Sequence, residues 1–139
     1  MTPLPESARK APDVHPAHEV VSIKTPAVPR YVAVIRLTAA AVTSRLGFTL
    51  DEVEDLKLAV DEAVSLLIES ASDGAMVSVE FDINAATLLI EARVSATKAP
   101  DEASYGWGVL RALSSDARSQ FVGGIATVSF TSARSSMDA

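Results

Sequence analysis

The hydrophobic period of this sequence changes close to Gly74. From Val28 to Ile68 apolar residues recur every three to four positions, and from Val77 to Phe81 and Leu88 to Val94 they alternate. A period near 3.6 builds helices with one buried stripe, and a period of 2 builds strands with one buried face. A chain with helices grouped first and strands grouped after them is expected to fold as α+β. The 139 residues suffice for one such domain with one core.

The elements can be placed from their punctuation. Val20, Val21 and Ile23 form a short β-rich run that Pro26 stops. Pro29 fits the first turn of a helix whose apolar face runs Tyr31, Val32, Ile35, Ala39, Val42 and Leu46, with Gly47 as its stop. Thr49-Leu50-Asp51-Glu52 has the capping-box form, and Phe48 is placed to staple onto Val53. The helix it opens buries Val53, Leu56, Val60, Ala63, Val64, Leu67 and Ile68, and is expected to end near Asp73-Gly74. The acids Asp51 to Asp55 serve the positive end of its dipole. Val77, Val79 and Phe81, then Leu88, Ile90, Ala92 and Val94, predict a hairpin turned at Asn84-Ala85-Ala86.

Residues 95 to 105 lack periodicity and read as a long loop of the kind that is often functional or mobile. A short helix follows to Leu113, with Tyr105 and Trp107 read as core packing. Two strands, 117–122 and 125–132, flank Gly123-Gly124. The expected fold is a two-layer α+β sandwich: a mixed, mostly antiparallel sheet covered on one face by helices. Residues 1–18 are expected to be a disordered Pro-rich tail, 19–132 the domain, and 133–139 a disordered C-terminal tail.

Composition removes several functions. There is no cysteine, so thiolate metal sites and disulfides are excluded. The only histidines, His15 and His18, lie in the predicted N-terminal tail, which leaves no His-based triad or zinc site in the domain. A net charge of -6 argues against nucleic acid as a partner. No apolar run is long enough to span a membrane and no signal core is present, so a cytoplasmic protein is expected.

Two segments carry a resemblance. Val34-Ile35-Arg36-Leu37-Thr38, followed by Phe48 through Ala63, resembles the RsbW-type anti-sigma factors and serine kinases of the histidine-kinase-like (Bergerat-fold) ATPase superfamily. Their helix ends in Ser-Glu-Ala-x-x-Asn. Gly106-Trp107-Gly108-Val109-Leu110 is similar to the family's Gly-x-Gly-hydrophobic-hydrophobic segment, which opens a helix near the nucleotide phosphates. The resemblance covers roughly residues 19 to 132.

The resemblance implies roles residue by residue. Glu62 stands where the family glutamate helps activate the attacking serine hydroxyl. Leu66 stands where the family asparagine binds magnesium, and leucine has no oxygen to offer. Ser65 lies about 100° away around the helix and cannot substitute. The family's adenine-binding Asp-x-Gly falls near Ala96-Thr97-Lys98, with neither residue present. Asp101 is the nearest acid left as a candidate cofactor contact, and the lost adenine contact is worth about 1–3 kcal/mol. Amides at Gly106 and Gly108 are expected to give at most weak ATP binding, and no magnesium site is expected.

Phosphoryl transfer depends on metal positioning, so kinase chemistry is expected to be weak or lost. Partner binding does not need the metal. Arg36 is in the register of a family arginine used in partner contact, and an arginine fork suits a partner's carboxylate. The implied function is an anti-sigma factor of a stress-response circuit. It sequesters an alternative sigma factor, is released by an anti-anti-sigma protein of the STAS type, and works as a homodimer. An active ATP-dependent serine kinase acting on that antagonist is the alternative. An α+β module for an unrelated small ligand is a third reading.

Overall fold

The computed structural model describes residues 18–85 and 87–135. Five strands and three helices follow in order: β1 (Glu19–Pro26), α1 (Val32–Ser44), α2 (Leu50–Ser70), β2 (Met76–Asn84), β3 (Thr87–Ser95), α3 (Tyr105–Leu113), β4 (Ser115–Val122) and β5 (Ile125–Ala133). A single 3-10 turn at Pro29–Tyr31 leads into α1, so the proline sits just ahead of the α-helix proper.

The sheet order is β1-β2-β3-β5-β4, and every pairing is antiparallel. The connection through α3 sends β4 in the same direction as β3, but β5 lies between them, so no parallel ladder forms. Gly123 and Gly124 turn the β4–β5 hairpin with φ of 60° and 76°, the pair of positive values that a tight two-residue hairpin needs.

Alternation along the strands decides where the core lies. Val77, Val79 and Phe81 of β2, Leu88, Ile90, Ala92 and Val94 of β3, and Ala126, Val128 and Phe130 of β5 are all buried. They share one layer with Ile35 and Ala39 of α1, Leu56, Val60, Ala63, Val64 and Leu67 of α2, and Trp107 and Leu110 of α3. The α+β sandwich with helices on one face is therefore the observed fold. Tyr105 departs from its expected packing: it is 88% exposed, because two positions along α3 turn it about 200° from buried Trp107.

The capping box forms as its residues predict. Thr49 Oγ1 accepts from the Glu52 amide at 3.1 Å, and the Thr49 amide donates to Glu52 Oε1 at 2.7 Å. The other end of α2 comes before the expected stop at Asp73-Gly74. Ala71 is already extended and bridges to Ala96, while the Thr97 amide donates to the Ser70 carbonyl at 2.9 Å. Pairing with the chain leaving β3 ends the helix before Asp73-Gly74 is reached.

Both expected tails lie largely outside the described residues, at 1–17 and 136–139. The body extends further toward the C-terminus than expected. Ala133 pairs with Thr87 in the sheet, and the Ser135 amide donates to Glu52 Oε2 at 2.6 Å. At the other end, His18 Nε2 lies 2.5 Å from Asp82 Oδ1.

Candidate functional site

Helix α2 lies between α1 and α3, and its two flanks serve different neighbours. Asp61 and Glu62 are consecutive, yet about 100° of helical rotation separates them. Glu62 reaches α3. A Cβ built on Gly106 would stand 2.5 Å from Glu62 Oε2, so the carboxylate rests against the glycine backbone at the start of α3. Any side chain at 106 would have to displace it. The structure thus brings together the two residues singled out for catalysis and phosphate contact.

The start of α3 is already well supplied with partners. Ser104 is its N-cap: its Oγ accepts from the Trp107 amide at 3.2 Å and its hydroxyl donates to the Asp101 carbonyl at 2.8 Å. The Gly108 amide donates to the Ser104 carbonyl at 3.4 Å, a bond of the helix's own first turn. Asp101 Oδ1 accepts from the Ala103 amide at 2.9 Å, so its exposed carboxylate is engaged in its own turn. The Glu62 carboxylate also sets a negative charge beside the helix end where a phosphate would seek positive potential.

Leu66 follows Glu62 by one turn. It is 4% exposed and belongs to the hydrophobic core. A hydrocarbon there offers a divalent cation no ligand, since magnesium requires oxygen donors. Among the described residues, no three His, Asp or Glu side chains converge as metal ligands. The residues present do not fit the magnesium ion that the resemblance implies.

The loop between β3 and α3 is fastened at several points. The Ala96 amide donates to the Gly124 carbonyl at 2.9 Å, the Thr97 amide to the Ser70 carbonyl at 2.9 Å, and the Ser70 hydroxyl to the Ala99 carbonyl at 3.3 Å. Pro100 is buried beneath it. The lack of periodicity that marked this segment as a loop carried no sign of these ties, which run to residues far away in sequence.

On its other flank α2 meets Arg36. Arg36 Nη1 donates to Asp61 Oδ2 at 2.9 Å, with the two side chains 35% and 24% exposed. Asp61 Oδ1 is buried and has no hydrogen-bond partner among the described residues. Sequence reasoning gave Arg36 a role and gave Asp61 none. The available signal was the motif itself, which has serine where this chain has Asp61. Arg36 is therefore separate from the Glu62–Gly106 contact, on the opposite side of α2.

No model of a known protein family matches the chain. The serine-protein kinase RsbW of Bacillus subtilis is 49% identical over 53 residues, which is 38% of this chain and 33% of the relative. The RsbW of Bacillus pumilus is 45% identical over 56 residues, 40% of this chain and 35% of the relative. The matched stretch thus spans about a third of these relatives' length. A crystal structure of RsbU and RsbW domains from Mycobacterium tuberculosis superposes on 85% of this chain and 33% of its own, with a TM-score of 0.69 at 16% sequence identity. Near-half identity makes one segment similar to the RsbW kinases, and the structural match shows that the described body shares a fold found in the RsbU–RsbW structure.

Proposed function

We propose that this chain is an anti-sigma factor of the cytoplasm that grips an alternative sigma factor without help from nucleotide. A STAS-type antagonist releases it, within a stress response. One observation carries the reading: Leu66 is packed into the core where the resemblance calls for a magnesium-binding asparagine. Filling that position with hydrocarbon removes the metal on which phosphoryl transfer depends. It leaves the outer faces of the helices, where a protein partner docks, untouched.

Homodimer formation is part of the proposal. Val21 on edge strand β1 and Val34 and Leu37 on α1 are exposed large apolar residues that line one open groove. An exposed apolar patch of this kind suits an interface between proteins. No helix among the described residues is long and apolar enough to cross a membrane.

Calorimetric titration of the purified chain with each sigma factor of the source cell, with and without Mg-ATP, tests the reading. The expected result is one tight sigma complex whose affinity is the same in both conditions. Tight magnesium-dependent ATP binding, or γ-phosphate transfer to a STAS protein, would refute it. The contact between Glu62 and Gly106 favours a second reading, an active serine kinase, because it sets a carboxylate beside the segment expected to face phosphates. That reading requires phosphate transfer that Glu62→Gln abolishes.

A further inference from the structure

Arg36 and Asp61 form an ion pair that is poorly satisfied on both sides. The guanidinium has five N–H donors, of which only one, on Nη1, bonds to the carboxylate. About a third of the arginine side chain remains exposed. On the acid, Oδ2 is bonded while Oδ1 is buried without a partner among the described residues. A carboxylate oxygen hidden from water and unbonded is destabilising, because burial removes hydration and gives nothing back. The pair is thus a single-bond contact between two groups that can each do better elsewhere.

We propose that Asp61 is a built-in competitor for Arg36, holding the guanidinium until an acidic side chain of a protein partner takes it over. This rests on reading Arg36 as a partner contact. The exchange has a physical rationale on both sides. A partner carboxylate can approach the exposed fork and bind through two parallel N–H donors, stronger and more directional than the single bond it replaces. Asp61, once released, turns toward water and hydrates the oxygen that is now stranded. Its charge beside the fork also penalises a partner that presents an acid in poor geometry, so the competitor raises selectivity at the expense of affinity. The serine of the related motif could not compete in this way, since it carries no charge.

Two measurements decide it. The first is the rate at which phenylglyoxal, a dicarbonyl reagent for arginine, modifies Arg36, followed by mass spectrometry. Asp61→Ser and the isosteric Asp61→Asn should both raise that rate about threefold or more, while an unchanged rate overturns the masking. The second is affinity for the sigma factor that the chain binds, measured in a cycle of Asp61→Ser, Arg36→Ala and the double variant. Asp61→Ser should tighten binding about three- to tenfold and do nothing once Arg36 is alanine. No tightening, with Arg36→Ala still weakening the complex, overturns the competitor role alone. Binding indifferent to Arg36→Ala overturns Arg36 as a contact and the competitor with it. Equal tightening in both backgrounds assigns Asp61 a general electrostatic effect and also overturns the proposal.

Discussion

Leu66 is an apolar residue where the resemblance implies a polar one, and its burial fixes the cost of changing it. At 4% exposure within the core, truncation to alanine should lower stability by about 2–4 kcal/mol, read as a shifted denaturation midpoint at unchanged slope. Gly106 makes an opposite case. Alanine is the better helix former, yet here its Cβ would meet Glu62 Oε2 at 2.5 Å. Gly106→Ala must displace the end of a flexible side chain, so it should stabilise by about 0.5 kcal/mol once Glu62 is alanine and by less with Glu62 present. Identical effects in both backgrounds, measured by chemical denaturation, would show that the carboxylate does not rest on the glycine. Neither the Glu62–Gly106 contact nor the Arg36–Asp61 pair is legible in the sequence. Each joins residues on different helices, whose facing flanks are fixed only once the helices pack.

At the scale of elements, what is local was legible and what is not local was missed. The start of α2 is encoded within four residues, Thr49 to Glu52, and forms as written. Its end is set by a bridge between Ala71 and Ala96, a partner 25 positions away, and so falls before the Asp73-Gly74 stop. Glu52 links this element to another. Its pKa is lowered first by the Thr49 amide that donates to it; partial desolvation opposes this, and the Ser135 amide adds to the lowering. A carboxylate with a lowered folded-state pKa contributes stability above its unfolded pKa. That contribution is lost as pH falls through the folded value. The stability gap between wild type and Glu52→Gln should thus be widest near neutral pH and should narrow below the ordinary glutamate range. A gap that grows on acidification would contradict the bonded carboxylate. The same acidification should free the Ser135 amide, read as a fall in its protection factor relative to the intrinsic exchange rate at each pH.

The whole molecule separates two surfaces by the thickness of one helix. Glu62 and the start of α3 lie on one flank of α2, and Arg36 and Asp61 on the other. The fold class was readable because the two long helical stretches and the alternating strand pair are each continuous in sequence. The position of β5 was not, because alternation reveals that a strand is half-buried and says nothing of its neighbours. The same limit applies to the candidate site: residue types could be matched to a motif, but which matched residues touch depends on the packing of α2 between its neighbours. If the flanks are independent, Glu62→Gln should leave sigma affinity unchanged while Arg36→Ala lowers it, in the same titration.

Strand β5 follows the other four strands in sequence, yet it occupies an interior place in the sheet. Until residues 125–133 emerge, β3 has a bare edge and β4 has no partner at all. Vectorial synthesis therefore cannot close this domain stepwise from its N-terminus. The nascent chain must keep the edge of β3 and the whole of β4 waiting until β5 has emerged, a consequence of the topology itself.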